Sequence, residues 1–201
     1  CLQETKMTDD AFPLAAFTEV GLHVSFVGQK TYNGVAIISR TEQSEVQKNL
    51  PPFEDEQKRV ICATINGVRI VNPYIVNGQS LDSDKFVYKL NWLAALTEFL
   101  SDELKQHPKL ALLGDFNIAP TDADVHNPDK WLGCNLVSPQ ERAAFQKLLD
   151  LGLSDAFRLF DQPEKSFSWW DYRQMAFRRN AGLRIDHILL SQPLAQSCIA
   201  C

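Results

Sequence analysis

One apolar segment limits the folds that this chain can adopt. Residues 109–114 read KLALLG and lead directly into Asp115. A strand that is apolar at nearly every position has both of its faces covered in the folded protein. Before it, residues 83–106 carry apolar side chains at three- and four-residue steps, which predicts a long helix ended by His107-Pro108. The chain is therefore expected to fold in layers.

Turn residues place the other elements. Asn33-Gly34 and Asn66-Gly67 each lie between two β-branched runs, and Asn-Gly accepts the positive φ angles of a type I′ turn. A helix is predicted from Pro139 to about residue 150, because Ser138 and Glu141 can cap its start. The predicted strands occupy 22–29, 34–40, 59–65, 68–76, 109–114, 167–172 and 183–190. Hairpins dominate this order, so we expect an α/β (α+β) fold of two packed, mainly antiparallel sheets with helices outside.

Composition narrows the class of protein. A chain of 201 residues, 45% of them hydrophobic, can form one sizeable core, so residues 1–201 are expected to belong to a single domain. The net charge of −5 argues against passive coating of nucleic acid, but it allows an enzyme with carboxylates gathered in one site. Five scattered cysteines favour a reducing compartment over a disulfide framework. No apolar run approaches the roughly 18 residues of a membrane span.

The end of the buried strand carries the first candidate site residues. Asp115 and Asn117 occupy alternate positions, so both side chains are expected on one side. A carboxylate buried there costs several kcal/mol unless a metal, a cation or an activated water pairs with it. The alternative is a turn in which Asp115 caps Ile118 or a later amide.

A second acidic residue lies in an otherwise apolar strand. Asp186 could orient a catalytic histidine, or it could form an ion pair with Arg184. The neighbouring His187 points to the other face of that strand and is expected to be structural or on the surface. Glu4, within LQETK, is either solvated or a further member of the site.

Aromatic and amide side chains could contact a phosphate or a sugar. Tyr74 and Asn77 can hydrogen-bond phosphate, although taken alone a packing tyrosine and a turn asparagine explain them better. Trp169 and Trp170 face opposite ways on a strand, so one is expected in the core and the other on a stacking surface. The nearby Arg173 could follow a phosphate backbone or lie in a solvated loop.

Together these segments resemble the exonuclease III family of apurinic/apyrimidinic (AP) endonucleases, within the endonuclease/exonuclease/phosphatase superfamily. The segments that carry the resemblance are LQETK (2–6), NGVAIIS (33–39), YIVNG (74–78), GDFNIAPTDAD (114–124), SPQERAAFQKLLDLGLSDAFR (138–158), FSWWDYR (167–173) and GLRIDHILLS (182–191). GDFN also fits other branches of the superfamily, whereas the last three segments together favour the DNA-repair branch. The resemblance implies a four-layer αββα sandwich with a metal site at one edge of the two sheets.

The resemblance also implies roles for individual residues. The implied metal ligands are Glu4, Asp115 and Asn117. The implied catalytic residues are Asp115, which activates the attacking water, Asn117, which holds the scissile phosphate, Tyr74 beside that phosphate, and Asp186, which orients a histidine. The implied substrate-binding residues are Asn77, Trp169, Leu183, Ile185 and Arg173, with an abasic sugar in the aromatic pocket.

The implied activity is DNA repair. We expect Mg²⁺-dependent cleavage 5′ to abasic sites and 3′→5′ exonuclease action on duplex DNA, with Mn²⁺ as a second metal. The expected setting is a cytoplasmic, nucleoid-associated bacterial monomer with no membrane partner. The family's upstream Asn-x-Asn-Gly motif and downstream Ser-Asp-His-x-Pro motif are absent, so we expect an incomplete domain, truncated at both termini and inactive alone. The alternatives are another phosphoesterase of the superfamily, acting on a nucleotide, RNA or lipid headgroup, or a non-catalytic fragment.

Overall fold

The long helix and the buried strand form where the sequence predicts them. A computed structural model describes residues 1–51 and 53–201. The strands are β1 (Leu2–Gln3), β2 (His23–Val27), β3 (Val35–Ser39), β4 (Ser44–Lys48), β5 (Val60–Ile65), β6 (Val68–Pro73), β7 (Leu110–Asp115), β8 (Leu153–Asp155), β9 (Trp169–Trp170), β10 (Gly182–Leu183) and β11 (Asp186–Ser191). The α-helices are α1 (Leu14–Thr18), α2 (Asp84–Gln106), α3 (Pro128–Trp131), α4 (Pro139–Asp150) and α5 (Gln192–Ala195).

Two of the sheets form the body of the fold. The larger has six strands in the order β4-β5-β6-β7-β11-β8, and the smaller has three in the order β1-β3-β2. All of their ladders are antiparallel except β6–β7, whose strands are joined by α2. The sheets pack on each other through small and branched side chains, among them Val35, Ile37 and Ile61. The predicted class, with two packed and mainly antiparallel sheets, is confirmed.

Helices α2 and α4 cover the six-stranded sheet. Ser83 caps α2 by accepting a hydrogen bond from the Phe86 amide. The apolar face of α2 packs with Phe145 and Leu148 of α4 on the buried residues of β5, β6 and β7. Within the described residues, no helix has both the length and the apolar composition needed to cross a membrane.

Two strand predictions are wrong in part. The strand predicted at 167–172 is only Trp169–Trp170, and the chain then turns through residues with positive φ such as Gln174 and Met175. The strand predicted at 183–190 is split into β10 and β11. The split falls at Arg184, whose side chain turns to Asp124 and Asp155 instead of following the ladder.

Candidate active site

Three of the predicted residues meet at one edge of the six-stranded sheet because of strand order. Asp115 is the last residue of β7, and Asp186 lies directly opposite it as the first residue of β11. On the other side of β7, Tyr74 forms a parallel bridge with Asp115 just after β6 ends. Residues from three separate parts of the sequence therefore lie next to one another.

The small sheet brings Glu4 to the same place. Glu4 follows β1, which pairs with β3, and its backbone has a φ of 54°. The Tyr74 hydroxyl donates to Glu4 Oε1 at 3.0 Å, and Lys6 Nζ lies 2.6 Å from Oε2. Burial opposes the charge on Glu4, but the bonds from Lys6 and Tyr74 outweigh it and hold the Glu4 pKa below its ordinary value. Glu4 therefore belongs to the site and stays ionised.

Asp115 and Asn117 form a tight turn at the end of β7. The Asn117 amide N–H donates to Asp115 Oδ1 at 2.8 Å, and Asn117 Nδ2 donates to Oδ2 at 3.1 Å and to the Ile75 carbonyl at 2.9 Å. Asn117 has a φ of 51°. The turn alternative is thus correct in part, but Asp115 caps Asn117 and not Ile118. The Asp115 carboxylate also lies close to Asp186 and Glu4, so it both caps the turn and belongs to the cluster of acids.

The carboxylates of the site repel one another. Burial, followed by the negative charge of Asp186, raises the pKa of Asp115 to about 7, and Glu4 adds to the effect. Burial also raises the pKa of Asp186, against a hydrogen bond from Ser168. Burial raises the Tyr74 pKa as well, with Glu4 as the next cause. Arg59 and Lys89 offset these shifts only in part, and a bound cation would supply further positive charge.

The donor set fits a hard divalent cation. Carboxylate oxygens of Glu4 and Asp115, with the Asn117 side-chain oxygen nearby, are the ligands that Mg²⁺ prefers. Across residues 1–51 and 53–201, however, no three His, Cys, Asp or Glu side chains converge as a ready ligand cage. The kinds of donor therefore fit Mg²⁺, although the carboxylates are not gathered into a cage.

A cavity of about 380 Å³ opens beside the carboxylates. Asn77 Nδ2 donates to Asn117 Oδ1 at 3.2 Å, and Asn135 Nδ2 donates to Asn77 Oδ1 at 2.9 Å, so amides form one wall. Trp169 and Ile185 border the cavity and pack on one apolar cluster. The expectation that Leu183 lines this cavity is wrong. Leu183 is fully buried within that cluster, because its strand β10 pairs with β9 behind the wall.

The rim of the cavity carries an ion pair. Arg173 borders the cavity, and its NH2 group lies 2.7 Å from Asp171 Oδ2. Hydrogen bonds from Arg173 lower the pKa of Asp171 to about 2. Trp170 points elsewhere, with its indole N–H donating to Asn180 Oδ1 at 3.0 Å. The two tryptophans thus face different ways, but both are half-buried, so the prediction that one joins the core is wrong.

The structure decides between the alternatives for Asp186 and His187. The Asp186–Arg184 ion pair does not form. Arg184 instead lies 2.7 Å from Asp124 Oδ1 and 2.8 Å from Asp155 Oδ2, because it has left the strand. His187 is structural, as predicted. It is buried with Nε2 2.8 Å from the Ile118 carbonyl, and burial followed by the Arg184 charge lowers its pKa to about 4.

Two buried cations beside the site were missed from the sequence. The Arg59 guanidinium lies over the Tyr74 ring at 5.1 Å and donates to the Tyr74 carbonyl at 3.3 Å. Lys89 is fully buried on the apolar face of α2 and donates to the Asn117 carbonyl at 2.7 Å. A signal for Lys89 exists, since it lies three residues after Phe86 and four before Leu93, on the apolar stripe.

The fold and this site define a class of enzyme. The whole chain, residues 1–201, matches the endonuclease/exonuclease/phosphatase family, and the chain belongs to that family. Members of this family are divalent-metal-dependent enzymes.

Individual relatives narrow the class. The chain is 39% identical to exodeoxyribonuclease III of Haemophilus influenzae over 211 residues, 98% of this chain and 79% of that protein. It is 53% identical to the solved 3′-5′ exonuclease NExo of Neisseria meningitidis, with a TM-score of 0.95 over 97% of this chain and 77% of that one. A solved AP endonuclease of Archaeoglobus fulgidus is 38% identical, with a TM-score of 0.92 over 96% and 76% of the two chains. These similarities confirm the predicted family and enzyme class, a DNA-repair nuclease.

Proposed function

We propose that this chain carries a Mg²⁺-dependent phosphodiesterase site that cleaves duplex DNA 5′ to abasic sites and removes nucleotides or blocking groups from 3′ ends. The observation that carries the proposal is Asp115, a largely buried carboxylate between Asp186 and Tyr74 whose pKa is raised to about 7, because Lys89 offsets burial and the neighbouring acids only in part. Asp115 lies beside a cavity lined with amides, whose N–H groups can donate to the charged oxygens of a phosphodiester, and a neutral substrate has no such oxygens.

Glu4, Asp115 and the Asn117 oxygen would hold the metal, with Mn²⁺ as a substitute. When bound, the metal supplies positive charge to the phosphoryl oxygens and the leaving 3′-oxygen. Asp115 orients the attacking water and accepts its proton, a task for a carboxylate that is buried but open to the cavity. Among the histidines of residues 1–51 and 53–201, none hydrogen-bonds to the Asp186 carboxylate, so its role in orienting a histidine rests on the family resemblance.

The remaining site residues bind and orient the substrate. Asn77 Nδ2 has one hydrogen left for the scissile phosphate after its bond to Asn117 Oδ1, and Asn117 Nδ2 would exchange its bond to Asp115 Oδ2 for one to the same phosphate. Losing one such donor typically costs about 100- to 1,000-fold in rate. The Tyr74 hydroxyl, already directed at Glu4, lies beside that phosphate. Because the charge develops on oxygen atoms, fixed N–H and O–H donors stabilise the transition state more than the ground state.

The cavity wall favours a sugar without a base. Trp169 and Ile185 offer an apolar surface of the kind that a deoxyribose ring covers, with Leu183 supporting them from behind. An abasic nucleotide reaches such a cavity without unpairing a base. Arg173 at the rim is placed to contact a phosphate of the backbone.

The proposal includes the protein's setting. Residues 1–201 form part of one catalytic domain, since one core cluster joins α2, α4 and the six-stranded sheet and a second joins the two sheets. We place this domain in a monomer in the bacterial cytoplasm, associated with the nucleoid. A bacterial exodeoxyribonuclease III at 39% identity supports that setting.

A substrate panel tests the proposal. The complete gene product is incubated with Mg²⁺ and duplex DNA carrying one abasic site, duplex DNA with a 3′-phosphate, the matching RNA, and a soluble lipid-headgroup phosphodiester. We expect cleavage of the abasic strand on its 5′ side and release from the 3′ end. Turnover of only the RNA or the headgroup ester would refute the DNA-repair assignment and favour another branch of the superfamily.

A further inference from the structure

A buried ion pair lies directly behind the candidate active site. Lys89 of α2 and Glu141 of α4 form a salt bridge in which both side chains are 0% exposed. Removing two charges from water is costly, and an apolar pair of similar size is often at least as stable. Stability alone therefore explains this pair poorly.

The Lys89 ammonium group bonds to the backbone of the site itself. An ammonium has three N–H donors. Besides the bond to Glu141, Lys89 Nζ donates to the Asn117 carbonyl at 2.7 Å and to the Asn77 carbonyl at 3.2 Å. Asn77 and Asn117 both border the cavity, and their side-chain amides contact each other. One buried charge thus ties together the backbones that carry both amides.

Glu141 extends the connection to residues 136–138, the first of which also borders the cavity. Its Oε1 accepts from the Leu136 amide at 3.0 Å, and its Oε2 accepts from the Ser138 amide at 3.1 Å and the Ser138 hydroxyl at 2.6 Å. Leu136 borders the cavity and has a φ of 72°, an unusual backbone conformation for a leucine. The pair therefore holds a strained segment and the amide wall in a fixed relation.

The neighbouring glycine fits the same arrangement. Gly78 has a φ of +93°, and a Cβ atom there would lie 3.3 Å from Lys89 Cδ and 3.4 Å from the Phe86 ring. The chain after Asn77 therefore approaches the lysine stem more closely than a larger residue would allow.

We propose that Lys89 is a positioning residue for catalysis, which acts with Glu141 to fix the amides of Asn77 and Asn117 where they meet the scissile phosphate. This inference rests on the proposed function. The fold needs the space of the pair to be filled and an acceptor on residue 141 for the cap of α4, whereas the geometry of the two amides needs the hydrogen bonds of the Lys89 ammonium group.

Cleavage kinetics of the complete gene product test the inference. We expect Lys89→Met to lower kcat on abasic duplex DNA about 100-fold, the loss typical of a displaced catalytic group, with KM little changed. Lys89→Arg should recover part of kcat, because a guanidinium can still donate to the carbonyls. The double variant Lys89→Met with Glu141→Gln removes both charges but keeps a side-chain oxygen that can accept from the cap of α4, so it should regain part of the resistance to urea while kcat stays low. If kcat returns with stability, the pair is only structural and the inference is wrong.

A second buried pair provides a matched control. Arg69 and Glu103 lie 2.5 Å apart with side chains 3% and 9% exposed, at the end of β6 away from the site. Arg69→Met should destabilise the fold yet leave kcat unchanged below its melting temperature. An equal loss of kcat in Arg69→Met would overturn the positioning role.

The inference is also tested without activity. The side-chain amide NMR signals of Asn77 and Asn117 should shift or broaden in the double variant and stay unchanged in Arg69→Met. Unchanged signals in the double variant would contradict the inference. If the wild type does not cleave DNA but the double variant still shows these signal changes, the proposed function is refuted and the positioning role of Lys89 stays supported.

Discussion

Replacing Asp115 with asparagine should stabilise the metal-free protein. Burial and the charges of Asp186 and Glu4 raise the Asp115 pKa from 3.8 to about 7. At about 1.4 kcal/mol per pKa unit, ionising this group costs the folded state roughly 4 kcal/mol above pH 7. Asparagine removes that cost, but its NH₂ group then faces Asn117 Nδ2, a loss of about 1–3 kcal/mol. We therefore expect a net gain of about 1–3 kcal/mol at pH 8.

The direction in which stability changes with pH follows from proton binding to Asp115. The folded pKa lies above the unfolded one, so between about pH 4 and 7 the folded state holds the proton more tightly. Stability therefore declines across this range as the pH rises. At pH 4 the wild-type carboxyl is largely protonated in the folded protein, and the advantage of Asp115→Asn should disappear.

Urea unfolding in EDTA at pH 8 and pH 4 measures the effect. The exposed Asp161→Asn is the matched control, because the same chemical change on the surface should alter stability by no more than about 0.5 kcal/mol. Saturating Mg²⁺ should stabilise the wild type more than Asp115→Asn. A variant no more stable than the wild type at pH 8 in EDTA would refute the electrostatic account of this site.

Three other substitutions test separate parts of the fold. Because the folded His187 pKa is about 4 and the ordinary value is 6.5, the wild type should lose about 3 kcal/mol more than His187→Gln as the pH falls from 7 to 4; equal losses in urea titrations would contradict this. Gly114→Ala places a Cβ 2.1 Å from the Pro73 carbonyl oxygen, so thermal unfolding should show a destabilisation of roughly 3 kcal/mol, and an unchanged melting temperature would argue against that close approach. Ser138→Ala removes the cap of α4 and should lower the free energy of unfolding, measured in urea, by about 1 kcal/mol. An unchanged free energy of unfolding would argue against the capping box.

Local signals in the sequence predict the regular elements well. The apolar periodicity of 83–106 and the capping residues around Ser138 match α2 and α4 to within a residue. The strand β4 was missed because it is a polar edge strand with a register shift, so it carries no apolar alternation. The pattern of residues 183–190 predicts one continuous strand, because polar Arg184 fits the alternation of polar and apolar residues. Arg184 leaves the ladder because its side chain pairs with the buried acids Asp124 and Asp155.

The site was harder to predict than the fold, because it depends on strand order. The meeting of Asp115 with Asp186 and Tyr74 follows from the β6-β7-β11 order, which the sequence pattern alone does not specify. The sequence pattern gave these residues as separate candidates, and the family resemblance joined them in one site. The resemblance did not supply Lys89, which contacts the site only through backbone carbonyls, and its position on the apolar stripe of α2 was the one signal for it.

The central claim is that the Asp115 cluster is a metal-dependent phosphodiesterase site. Single-turnover cleavage of an abasic duplex by the complete gene product tests it most directly, after EDTA treatment, on return of Mg²⁺, and with Asp115→Asn in parallel. We expect no cleavage in EDTA, recovery with Mg²⁺, and a rate at least about 100-fold lower in the variant while DNA binding persists. Cleavage that continues in EDTA, or an Asp115→Asn variant with a near-normal rate, would contradict the account.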